Sequence, residues 1–161
     1  MVIIMTEEKK KEYTRRISQS NSTQLIVVLY DIALTYIEDA LKIFDTDRNQ
    51  REVELQRAKN CIEEMIQNLH FECELSREFH QIYLWMKKSI RDSHLQNKKE
   101  QLISVRDNLR SLKQAYEQIV SQDESAPIMG HTQSVIAGLT YGKTDVNESL
   151  AGDSGKRGFL V

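Results

Sequence analysis

The sequence predicts an all-α protein, an antiparallel up-down four-helix bundle with an N-terminal segment before it and a glycine-containing C-terminal tail after it. Three observations carry that prediction. All six glycines and the single proline fall after residue 125, at Pro127, Gly130, Gly138, Gly142, Gly152, Gly155 and Gly158. From Leu25 to Gln122 apolar residues recur at helical spacings, interrupted only by caps and short polar turns. The links between these long stretches are short, which favours antiparallel neighbours. The expected divisions are residues 1–20 for the N-terminal segment, 21–122 for the bundle and 123–161 for the tail.

Ahead of the bundle, Glu7 and Glu8 precede the basic run Lys9–Lys11 and Glu12, the pattern of a solvated helix start. The first bundle helix opens at Asn21, an N-cap with Gln24 placed to complete a capping box, and stops near Asp45-Thr46-Asp47. The second runs from about Gln50 to Glu72, with Leu55, Ala58, Ile62, Met65, Ile66 and Leu69 on one face. The third begins at Ser76 and turns Phe79, Ile82, Tyr83, Met86 and Ile90 inward. Asn97 with Glu100 forms the capping box of the fourth, whose Leu102, Val105, Leu109, Leu112, Tyr116 and Ile119 make a coiled-coil-like seam.

The stretch Gln24–Phe44 has more apolar surface than a bundle helix needs. At about 100° per residue Leu25, Leu29, Ile32, Tyr36 and Ala40 share one face, and Val27, Tyr30, Leu34, Ile37 and Leu41 form a column on its flank. Asp31, Thr35, Glu38 and Lys42 keep a narrow polar strip. The fourth helix spans an apolar arc of about 100°, and the third a similar one with Leu84 and Trp85 outside it; the first covers about twice that width. The expected division sets Leu25, Leu29 and Ile32 inward and Val27, Tyr30 and Leu34 towards a partner. Together with Leu84 and Trp85 the outward residues would form an apolar patch that a monomer rarely leaves bare. The N-terminal segment, a second copy of the chain or a partner helix would cover it. Tyr30 and Tyr83 equally fit a core place with their hydroxyls at its edge.

Composition and motifs remove several function classes. The 161 residues suit one domain, and 29% charged with 40% hydrophobic residues suits a soluble globular chain. A formal net charge of -2 with intermixed signs offers no basic face to nucleic acid. No stretch approaches the ~18 apolar residues that span a membrane. The apolar start Met1–Met5 is too short for a signal-peptide core. Cys61 and Cys73 are expected in one helix about 18 Å apart, too far to bridge, and read as reduced thiols of a cytoplasmic protein.

A di-iron bundle would show Glu-x-x-His pairs, but Gln67, Arg77, Arg91 and Ile128 stand three residues before His70, His80, His94 and His131. His70 and Cys73 share a helical face with His80 nearby, yet nothing picks out a further zinc ligand. Neither cysteine has a positioned base in a readable motif, and the carboxylates lie on solvent faces. Ala137 to Thr144 imitates a phosphate loop without the strand and helix that loop needs. The reading is a non-enzyme with no cofactor and no metal.

The residues resemble a known family from about Tyr13 to Ile119. Asn21-Ser22-Thr23-Gln24-Leu25-Ile26-Val27-Val28-Leu29-Tyr30-Asp31-Ile32-Ala33-Leu34 is similar to the stretch "ser-pro-x-x-leu-ile-x-x-leu-tyr-asp-gly-ala-leu" of the flagellar secretion chaperones, the FliS family. Ile82-Tyr83-Leu84-Trp85-Met86 looks like that family's "leu-tyr-x-tyr-met", and Tyr13 and Ile17 correspond to the tyrosine and branched residue before its first helix. The chain departs from the pattern at Ser22 for proline, Ile32 for glycine, Ser93 for alanine, His94 for asparagine and Tyr116 for tryptophan.

The resemblance implies a chaperone that binds the C-terminal segment of flagellin in apolar grooves, prevents premature polymerisation and hands the complex to the flagellar export apparatus. It implies Tyr13, Ile17, Val27, Tyr30, Leu34, Tyr83, Leu84 and Trp85 as client-binding residues. Tyr13 and Ile17 belong to an N-terminal segment that lies in the groove until a client displaces it. A homodimeric helical scaffold, with the surplus face buried against its own copy, is the alternative. The tail fits either a linker or a short docking segment.

Overall fold

The structure is a computed structural model that describes residues 6–69 and 74–120. Its described secondary structure is all helical, in five helices: α1 (Glu7–Ser18), α2 (Ser22–Lys42), α3 (Arg48–Gln67), α4 (Glu74–Leu95) and α5 (Lys99–Val120). The expected tail, residues 123–161, lies outside the described residues, as do His70 and Cys73 of the possible zinc cluster. Among the described residues no group of three or more potential metal ligands comes together. No described helix is long and apolar enough to cross a membrane.

Local sequence explains most of the boundaries. Thr6 caps α1 by accepting from the Lys9 amide at 3.2 Å, with Glu7 and Glu8 in the first turn and Arg15 and Arg16 in the last, matching the helix dipole. Asn21 and Gln24 form the expected capping box at the start of α2. Asp47 caps α3 through the Gln50 amide at 3.0 Å. That helix holds Cys61 and ends at Gln67, short of the expected Glu72; Cys73 lies outside the described residues.

Asn97 has a different role from the one expected. Instead of capping α5 it takes a positive φ of 57°, and the Lys98 amide reaches back to the Ser93 carbonyl at 2.9 Å. This is the bond of a Schellman-type stop, with asparagine in the left-handed position usually given to glycine. The residue therefore ends α4.

α2 packs on α1, α3 and α5, and α4 closes a ring by packing on α3 and α5. Side-chain pairs give the directions. Arg51 reaches Phe44 while Cys61 reaches Leu29, so α3 runs against α2. His94 meets Arg51 while Lys87 meets Glu63, so α4 runs against α3. Lys99 pairs with Asp45 and Lys113 with Asp31, so α5 also runs against α2.

The inward stripes of α3, α4 and α5 pack largely as their periodicity predicts. Leu55, Ala58, Ile62, Met65, Tyr83, Met86, Ile90, Leu102, Val105 and Leu109 are buried, whereas Ile119 at the end of the α5 seam is 47% exposed.

The fate of α2 differs from expectation. Only Ser22 and Lys42, its two end residues, are exposed. Val27 and Leu34, expected to face a partner, are each 8% exposed, and Tyr30 is fully buried. Tyr30 is buried against Tyr83 and Tyr116, and residues 7–18 fold as a fifth helix, α1, that lies on α2 as an added layer. The wide apolar surface of α2 is that of a central helix.

Candidate functional site

The first part of the site is the seat of α1. Ile17 is completely buried and Tyr13 nearly so, and both join the core cluster with Leu29, Leu34 and Tyr36. At about 25 cal/mol per Å² such apolar burial is the main attraction holding a short helix in place.

Its alignment is polar. The Tyr13 hydroxyl hydrogen-bonds with Thr35 Oγ1 at 2.9 Å, and Arg16 Nη2 meets Asp31 Oδ2 at 2.6 Å. The other oxygen of Asp31 receives Lys113 Nζ of α5 at 2.5 Å. One carboxylate thus joins α1, α2 and α5, and that contact holds the Lys113 ammonium above its ordinary pKa. Burial raises the Tyr13 phenol in turn, keeping it neutral.

The polar strip of α2 is therefore a docking seam: Thr35 and Asp31 receive α1, and Asp31 and Glu38 receive α5, the latter through Arg110 at 2.8 Å. Sequence reading left this strip to solvent because an amphipathic pattern marks polarity without showing which polar residues will meet an oppositely charged helix. Beside the seam a cavity of about 310 Å³ is lined by Tyr13, Leu34 and Thr35 on one side and Arg110, Lys113 and Glu117 on another.

The second part is the aromatic core under α2. The hydroxyls of Tyr30 and Tyr83 hydrogen-bond to each other at 2.5 Å, both buried, with Tyr116 5.6 Å from the Tyr30 ring and Phe79 6.1 Å from the Tyr83 ring. Burial pushes both phenols far above their ordinary range, so neither ionises at any physiological pH. The two tyrosines are core residues in this structure, with their hydroxyls satisfied inside rather than at the edge. A groove that includes them would need this pair to open.

Only Leu84 and Trp85, at 46% and 42% exposure, stand at the surface among the expected residues. They sit on the outer side of α4, whereas Tyr13, Ile17, Val27 and Leu34 gather around α2. Ile32, where the resembling family has glycine, is 1% exposed, so its added bulk enters the core.

Two further buried polar groups lie on α3. Cys61 is fully buried, donates to the Leu29 carbonyl and has its thiol pKa pushed up by burial, the opposite of an activated nucleophile. Glu54 is fully buried and accepts from Gln50 at 2.8 Å, and burial raises its pKa.

A family profile described as flagellar protein FliS matches residues 5–123, a span that includes all five helices. No curated protein matches the chain.

Proposed function

The chain belongs to the FliS family of flagellar proteins, and from that premise we propose that it is a cytoplasmic export chaperone for the C-terminal segment of flagellin. In this reading helices α2 to α5 are the antiparallel four-helix bundle, and residues 1–20 are an arm that a client displaces. The client's C-terminal segment, kept from polymerising, travels with the chaperone to the export apparatus.

One observation carries the proposal. The helix α1 covers the most apolar of the described helices, and polar pairs at Asp31 and Thr35 align it there. A client helix bringing its own apolar residues can replace Tyr13 and Ile17 beside Leu34 and reach Val27, which is helix-in-groove recognition. Leu84 and Trp85 extend the contact onto α4, and Tyr30 and Tyr83 support it from beneath. Ordering the client costs about 2–5 kcal/mol, which a wide apolar contact offsets.

The test is calorimetric titration of the full chain, and of a form lacking residues 1–20, with the C-terminal peptide of flagellin. Removing the competing helix is expected to tighten binding, and client binding to the full chain to raise hydrogen exchange across residues 7–18. Equal affinity with unchanged exchange would remove the displacement mechanism, and absence of binding to either form would remove the client.

A further inference from the structure

The outer face of α4 carries a second pattern, independent of its core stripe. Arg77, Gln81, Leu84, Lys88, Arg91 and Leu95 follow one another at spacings of four, three, four, three and four residues, and every one is exposed. At about 100° per residue they fall within one narrow outward strip, and at 1.5 Å per residue the strip is about 27 Å long. It contains three cations, two leucines and no acid. Leu95 is 64% exposed and Leu84 46%.

The charge on this strip is incompletely neutralised. Asp92, on its flank, is shared between Lys88 at 3.3 Å and Arg91 at 3.5 Å. Across the α3–α4 seam Lys59 is half-buried and, among the described residues, in no ion pair; burial and the cations Lys87 and Arg91 lower its pKa. Glu78 and Asp92 project towards the Trp85 flank, away from the centre of the strip.

We propose that this strip docks an acidic amphipathic helix, whose carboxylates meet Arg77, Lys88 and Arg91 while two apolar side chains settle against Leu84 and Leu95. The three-and-four spacing is the repeat by which one helix follows another, and three cations along it, two of them sharing the single carboxylate of Asp92, select for acid at the matching positions. A lipid surface would be met by a contiguous apolar face, whereas here Lys88 and Arg91 separate the two leucines. The inference rests on the client reading above and names the chemistry of the part of the client that reaches α4.

The experiment titrates the full chain with flagellin's C-terminal peptide at about 0.05 M and about 0.5 M salt, alongside R77E/K88E/R91E and the milder R77Q/K88Q/R91Q, with circular dichroism to verify folding. Salt is expected to weaken wild-type binding about tenfold, and charge reversal to weaken it by at least about as much while flattening the salt dependence. Binding that ignores both salt and the glutamine variant overturns the acidic-helix inference and leaves the client reading standing. Sedimentation with anionic vesicles that the variants abolish, with peptide binding unchanged, makes the strip a membrane face and also overturns it. No peptide binding by the wild type at either salt removes the client reading and this inference with it.

Discussion

Asp31 and Arg51 each hold a formal charge at a junction of helices, but their surroundings differ. Asp31 is partly exposed and faces two cations, Arg16 at 2.6 Å and Lys113 at 2.5 Å, on two different helices. Arg51 is 1% exposed and is held by neutral groups: the carbonyl of Phe44 at 2.5 Å, Asn97 Oδ1 at 3.0 Å and His94 Nδ1 at 3.1 Å, with its guanidinium 4.0 Å over the Phe44 ring. Water and salt reach the first site and weaken each pair to the scale of a surface ion pair. The second is shielded, and losing any of its bonds leaves a buried polar group unsatisfied. The contrast separates two jobs: Arg51 locks the turns after α2 and α4 together, while Asp31 aligns α1, a helix the proposed mechanism must release.

Breaking the locked node is expected to have the largest effect. Arg51→Ala orphans the buried Phe44 carbonyl and removes the ties to Asn97 and His94, and should lower global stability by about 3 kcal/mol. Urea denaturation measures it, and a loss confined to one helix would contradict the assignment. Asp31→Ala should cost less, about 1 kcal/mol, and act locally. Amide exchange should rise across residues 7–18 and around Lys113, while α3 and α4 keep their protection. Uniform loss of protection would show that Asp31 is as structural as Arg51.

The smallest effect sharpens the Arg51 side through pH. His94 accepts from Arg51 at Nδ1, so that nitrogen is unprotonated, and burial followed by the charges of Arg51 and Arg48 lowers its pKa against the opposing pull of Glu52. The unfolded chain then takes up this proton first as pH falls. The stability linked to His94 is fully present above the unfolded value of about 6.5 and is lost as pH falls from there through the folded pKa. Urea midpoints between neutral and mildly acidic pH should fall in the wild type and flatten in His94→Asn, whose side-chain oxygen retains an acceptor. An equal slope in both proteins would assign the dependence to other groups.

Much of the chain was legible before its structure because helices are local. The Asn21–Gln24 capping box and the inward stripes of α3 and α4 depend on residues three or four apart, and they stand as read. Asn97 was misread because an asparagine followed by Glu100 satisfies the N-cap rule as well as the left-handed stop; the Arg51 side chain and the Ser93 carbonyl favour the second.

The burial of the α2 flank was hidden from the sequence for a similar reason. Val27, Tyr30 and Leu34 form an apolar flank in any helix, but whether that flank meets solvent depends on what arrives from elsewhere. Here it is flanked by α5, underlain by Tyr83 and covered beside its polar strip by α1, whose own periodicity was too short to be counted as a helix of the body.

The sequence by itself determined that the protein is helical, where most of the helices begin and which of their faces are apolar, since spacing, caps and the confinement of glycine and proline act over a few residues. Only the tertiary structure decided that α2 is wrapped on nearly every side, that Tyr30 and Tyr83 satisfy each other, that Asp31 serves two helices and that Arg51 finds neutral acceptors. Apart from the Phe44 carbonyl, those outcomes rest on partners at least 15 residues away in the chain, and burial and electrostatics act through space rather than along the sequence.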